Sequence, residues 1–244
     1  MIDFLLACVI IVMAYVHICF HMKTSNELEV YDLRKPNKEV FDEICDYRQP
    51  VKVHMGNELS KVTDLFMGAI FIRNVTQDPS FVSVDIETAN RIFEQDKQSR
   101  YISERNTKKD DCADVFLRPH LCAFRYYDYM RGSEGAVTPF KYDLYYRHFL
   151  YVSDGTVCVR VATPNTSEML HMVKDSELFE FRAYDDPWKE NTSFRTKELT
   201  LSKGDLLYIP AYWWYSIKYT QKGRIVAFKY HTYASACSIF PKLL

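Results

Sequence analysis

"YYRHFLYVSDGTVCVRVA", residues 145–162, is the stretch that decides the fold class. Two runs rich in β-branched and aromatic residues flank Asp154-Gly155, a dipeptide that tolerates the positive φ of a tight turn, and the whole reads as a β-hairpin. The same pattern returns around Gly204 in "FRTKELTLSKGDLLYIP" and around Gly223 in "WWYSIKYTQKGRIVAFKYHTY". Many short antiparallel strands behind one or two helices predict a mainly β chain, a jelly-roll sandwich or barrel.

Working upstream, "DIETANRIFEQDKQ" is the strongest helical pattern, with Ile86, Ala89 and Phe93 on one face and charge on the other. A second helix is expected after Pro36, where Val40, Phe41 and Ile44 recur at helical spacing. "PVKVHM" and "LFMGAIFIRNV" have the composition of strands. "ERNTKKDDCAD", residues 104–114, is polar throughout and reads as a solvated loop or helix edge.

Composition narrows the function classes. Thirty-one Lys and Arg oppose 32 Asp and Glu, a formal net charge of -1, so nothing steers the chain towards nucleic acid. Aromatic residues make up 15% while glycine is scarce at 7, which suits a β-rich core and leaves no phosphate loop or dinucleotide fingerprint. Cys45, Cys112, Cys122, Cys158 and Cys237 are widely spaced and form no CxxC pair. Buried thiols are expected rather than a zinc site or disulfide framework.

At the N-terminus, residues 4–20 ("FLLACVIIVMAYVHICF") carry no formal charge. As a helix this run would be about 26 Å long, near the lower limit for a bilayer core. Without a basic start or a small-residue cleavage site it is not a signal peptide, and it predicts an uncleaved membrane anchor over residues 1–22. Lys23, Arg34 and Lys35 after it place the remainder on the cytoplasmic side. The sequons at Asn74, Asn165 and Asn191 would be glycosylation acceptors on the opposite side.

Two further stretches, "TPFKYDLYYRHFLYVSDGTVCVRVATP" and "LSKGDLLYIPAYWWYSIKY", carry a family likeness. Together with "YDLRKPNKEVFDEICDYRQPVKV" upstream, the chain resembles the cupin-like Jumonji C family of double-stranded β-helix proteins over roughly residues 28–235. It is similar to members found in large DNA viruses. The resemblance implies an Fe(II) site built from a His-x-Asp pair and a later His, with 2-oxoglutarate as co-substrate. Carried onto this chain, those positions are Lys141, Asp143 and Tyr215. Thr138 keeps the family's co-substrate threonine, and its basic co-substrate anchor falls near Val157. Thr138 and Trp213 are the candidate pocket residues.

An ammonium has no lone pair to offer a metal, and a phenol with a pKa near 10 is a poor substitute for imidazole. The implied metal site is therefore read as lost, and no cofactor is expected. Lys141 and Asp143 share a strand face, as do Trp213, Tyr215, Ile217 and Tyr219. One reading is a three-way network in which Lys141 and Tyr215 both serve Asp143. The other has Lys141 reaching solvent and Tyr215 filling space. Histidines 54, 120, 148, 171 and 231 show no spacing that rebuilds a metal site, although His231 follows Lys229 at the same parity.

The sequence thus predicts a membrane anchor (1–22), a linker (23–27), a cupin-like domain (28–235) and a tail (236–244). The expected role is structural or interactive, in a viral membrane, with a protein partner the sequence does not specify. An Fe(II)/2-oxoglutarate hydroxylase with unusual ligands, and a metal-free barrel for a small molecule or peptide, are the alternatives.

Overall fold

The computed structural model describes residues 2–56, 59, 68–76, 80–108, 114–175, 180–220 and 222–243. These run as α1 (Ile2–Met22), β1 (Tyr31–Arg34), α2 (Lys38–Asp46), β2 (Val51–His54), β3 (Ala69–Asn74), β4 (Val82–Asp85), α3 (Ile86–Gln95) and β5 (Tyr101–Ser103). There follow β6 (Cys122–Gly132), β7 (Phe140–Asp143), β8 (Arg147–Asp154), β9 (Thr156–Ala162), β10 (Met172–Asp175) and β11 (Glu180–Ala183). The chain closes with β12 (Lys197–Ser202), β13 (Asp205–Ile209), β14 (Trp214–Tyr219), β15 (Arg224–Thr232) and α4 (Tyr233–Leu243).

Among the described residues these strands make a nine-stranded sheet, β1-β2-β13-β8-β15-β6-β5-β3-β4, and a six-stranded sheet, β10-β11-β7-β14-β9-β12. The three turns predicted as hairpins do reverse the chain, but none joins hydrogen-bonded partners. β8 pairs with β13 and β15, whereas β9 pairs with β12 and β14. Each turn therefore carries the chain across from one sheet to the other. Gly155, at φ +69, and Gly204, at φ +88, supply the left-handed backbone these crossings need.

Alternation along the strands sorts their side chains into three apolar layers. Leu150, Val152, Leu207, Ile225 and Ala227 from the larger sheet meet Val157, Val159, Val161, Ile217 and Tyr219 from the smaller one, forming the interior between them. The outer face of the larger sheet, with Phe149, Tyr151, Val226 and Phe228, is covered by Phe41 and Cys45 of α2 and Ala89 and Phe93 of α3. Both helices start as the sequence suggested. Asn37 Oδ1 accepts from Val40 N at 2.8 Å, and Asp85 Oδ1 from Thr88 N at 2.8 Å, caps worth about 1 kcal/mol each. Phe140, Tyr142, Trp214 and Phe194 fill the outer layer of the smaller sheet, with Ile239 of α4.

Three expectations need correction. The fold class was to be a jelly roll behind a transmembrane helix. The structure supports two sheets with a few helices, and among the described residues no helix is long and apolar enough to cross a membrane. The reason lies in α1 itself. Its uncharged run of 17 residues spans about 26 Å, short of the roughly 30 Å hydrocarbon core, and α1 carries Asp3 in its first turn and packs against α4. The single-pass anchor over residues 1–22, and the membrane location drawn from it, are withdrawn. The three hairpins are sheet-to-sheet crossings instead.

Lastly, the segment from Glu104 is only partly solvated: Thr107 and Lys108 are exposed, but Glu104, Asn106 and Asp114 are buried. Residues 109–113, with Cys112, lie outside the described residues, as do residues 65–67 of the predicted strand. Cys8, Cys45, Cys122, Cys158 and Cys237 are free thiols.

Candidate functional site

β7 is buried along its whole length, and its alternation turns Phe140 and Tyr142 outward and Lys141 and Asp143 into the space between the sheets. Register places Lys141 between Tyr215 of β14 and Arg182 of β11. Cross-strand neighbours share a face, so an ammonium, a phenol and a guanidinium stand in one interior row.

Lys141 does not turn to solvent. Its Nζ donates to Glu104 Oε2 at 3.1 Å, and Arg73 Nη2 and Arg182 Nη2 reach the other oxygen at 3.2 and 3.5 Å. Glu104 is 1% exposed. Burial alone would raise its carboxyl, but Lys141, then Arg73 and Arg182, outweigh it and hold the group at about 2.

Asp143 has a separate set of partners. The Tyr215 hydroxyl donates to Oδ2 at 3.0 Å. His148 Nδ1 lies 2.9 Å from the same oxygen, too far off line for a well-formed hydrogen bond, and Oδ1 has no hydrogen-bond partner among the described residues. Burial raises this carboxyl as well. The Lys229 charge, the His148 contact and the Lys141 charge overcome it and keep Asp143 well below the usual carboxylate range. Burial pushes the His148 imidazole down, against the pull of Asp143.

Lys229 also stands 4.0 Å from Asp128, whose carboxyl burial raises, and 5.2 Å from the centre of the Tyr145 ring. His231 stacks near Tyr145 at 4.9 Å and pairs with Ser235 Oγ at 3.2 Å. Burial lowers His231 to about 4. The Tyr219 hydroxyl is pushed up by burial and by the charges of Glu104 and Asp128. Its ring lies so close to Gly132 that a Cβ there would come within 2.3 Å of it.

Of the residues singled out from sequence, Lys141, Asp143 and Tyr215 do come together, divided between two carboxylates. Thr138 is pinned to β14: its Oγ1 accepts from Ile217 N at 2.9 Å and its carbonyl from Ser216 Oγ at 2.7 Å. It also lines an open cleft of about 280 Å³ with Arg73, Phe140 and Tyr184. Trp213 is fully buried, with its indole N–H donating to Arg48 O at 3.1 Å. Val157 sits in the apolar interior. Glu104, Asp128, Arg73, Arg182 and Lys229 were missed as site residues. The signal available for Lys229 was its parity with His231 on a strongly apolar strand.

The Fe(II) centre that the family resemblance implies does not fit these residues. It needs imidazoles and a carboxylate converging with open positions. Here Lys141 is a cation held by Glu104, and Tyr215 is a proton donor to the one surviving carboxylate. Among the described residues no group of three or more His, Cys, Asp or Glu could hold a metal ion. Neither a protein-family model nor a curated protein sequence matches this chain.

Proposed function

We propose that this chain is a structural or interaction protein built on a degenerate Jumonji C-like sandwich and without oxygenase activity. One observation carries the reading: the three positions aligned with metal ligands are taken up by contacts within the protein, Lys141 with Glu104 and Tyr215 with Asp143. The family assignment is supported by the strand order. β6 to β9 and β12 to β15 alternate between the sheets, as a double-stranded β-helix requires. The viral setting of this proposal rests on the sequence resemblance alone.

The test uses the full chain, loaded anaerobically with Fe(II) and assayed for bound metal and 2-oxoglutarate consumption. We expect substoichiometric iron and no consumption above free iron in buffer. One iron per chain with co-substrate turnover would overturn the proposal. The hydroxylase alternative would draw on His148, the imidazole beside Asp143, so His148→Ala tests it in the same assay.

A further inference from the structure

β1 ends the larger sheet, and among the described residues it pairs on one side only, parallel to β2. Such an edge presents a row of unpaired N–H and C=O groups that a second strand can complete. The pairing with β2 fixes which groups these are. Tyr31 N donates to Pro50 O at 3.1 Å, so Tyr31 and Leu33 turn their backbone groups towards β2. Asp32 and Arg34 turn theirs outward. Both side chains are exposed, and neither forms an ion pair among the described residues. These two charges make the edge complementary to itself. Two β1 strands laid antiparallel across a two-fold axis at Leu33 set Asp32 of each copy opposite Arg34 of the other. The same register lets Asp32 and Arg34 exchange their outward N–H and C=O groups as a hydrogen-bonded pair. The neighbouring registers that keep those groups paired put Asp32 opposite Asp32, or Arg34 opposite Arg34, and like charges oppose them.

The surface beside this edge is apolar. Leu33, the residue on the axis, is half-buried against the layer beneath α2. On α2 itself, Asp42 reaches Arg147 of β8, towards the middle of the sheet. Val40, Ile44 and Tyr47 recur at helical spacing on the opposite flank and so face the β1 side. Val40 is 42% exposed and Tyr47 56%, and Tyr31, which lines the same recess as Tyr47, is 40% exposed. Apolar side chains gathered along an open strand edge mark an interaction surface. The alternating charges say which partner fits it, because a run of one sign would repel a second copy and this one does not.

We propose that two copies of this chain associate through antiparallel β1 strands, Asp32 against Arg34, joining their larger sheets into one. β1 has only four residues, so the contact is small and the dimer reversible and salt-sensitive rather than obligate. The edge lies apart from the polar row between the sheets, and the proposal does not rest on how that row is read.

The experiment is sedimentation velocity of the full chain at low ionic strength over a range of concentrations. The unmodified chain should show a reversible monomer–dimer equilibrium. Asp32→Arg sets guanidinium groups opposite one another and Arg34→Asp sets carboxylates opposite one another, so each alone should weaken dimerisation at least tenfold. The double variant restores opposite signs and should dimerise as the unmodified chain does, and an equimolar mixture of the two single variants should form mixed dimers. Both positions are exposed and without ionic partners, so the variants are expected to fold, and circular dichroism checks that. Hydrogen exchange needs no variant: the Asp32 and Arg34 amides should gain protection as concentration rises. A monomer up to hundreds of micromolar, or a double variant that fails to recover, would overturn the proposal. Association indifferent to both single reversals would overturn it too, and would place the contact on another surface such as the apolar α1.

Discussion

Glu104 receives three cations on two oxygens, and removing one leaves the other two to hold a fully buried charge. Lys141→Met takes away the partner at 3.1 Å while Arg73 and Arg182 remain. We expect it to cost about 2–4 kcal/mol by urea denaturation. Tyr215→Phe, which strips one hydrogen bond from Asp143, should cost less, about 1–3 kcal/mol. Equal losses would mean that the two carboxylates share a single network. That Lys141 and Asp143 share a face was legible from strand alternation, while inward burial and the pairing of Tyr215 with Asp143 belonged to one of two open readings. The acceptor for Lys141 was not legible. Glu104 lies 37 residues from Lys141 and 78 from Arg182, at the head of a segment with a surface composition. A sequence shows that a carboxylate is polar, whereas its burial is decided by cations that arrive from distant strands.

At the level of elements, turn chemistry and strand pairing part company. The reversals at Gly155, Gly204 and Gly223 were read correctly, because turn preference is local; Gly155 and Gly204 supply a positive φ themselves, whereas at the third turn Lys222 does, at φ +61. Which strand the chain meets next is not local: an inward-facing apolar side chain looks the same whether its neighbour is hydrogen-bonded beside it or stacked across the interior. The β8–β9 crossing makes this testable. A Cβ at Gly155 would come within 2.5 Å of the Lys222 carbonyl, on a backbone already at φ +69. Gly155→Ala should therefore destabilise by about 1–3 kcal/mol, seen as a lowered urea midpoint with an unchanged slope. A neutral result would mean that the two crossings at residues 155 and 222 do not touch. The helices were the easiest elements to read, since caps and amphipathic spacing sit within one turn of each other. α1 was misjudged because apolar character was legible while the length sufficient to cross a bilayer was not met.

For the whole molecule, the buried titratable groups fix how stability varies with pH. His231 is lowered to about 4 from an ordinary 6.5, and His148 is lowered too. A depressed folded-state pKa gives stability that is present above the unfolded value and lost as pH falls. Stability should therefore decline from about pH 6.5 towards 4. Glu104, lowered from 4.5 to about 2, extends the decline below pH 4.5 by the same sign. Asp128, raised by burial, works the other way and offsets part of it as it takes up a proton. Urea denaturation at pH 8, 5 and 3 checks this. His231→Asn should flatten the upper interval and Glu104→Gln the lower, while stability that rose on acidification would sink the account.

The position of β15 has a consequence for how the chain comes to be made. Among the described strands it comes last in sequence, yet it lies inside the larger sheet, between β8 and β6. Until Thr232 clears the ribosome, that sheet is two unjoined pieces with open edges, and neither piece can shield its apolar face. Folding of this sheet is therefore expected to wait until β15 has emerged, leaving a window in which chaperones would have to guard it.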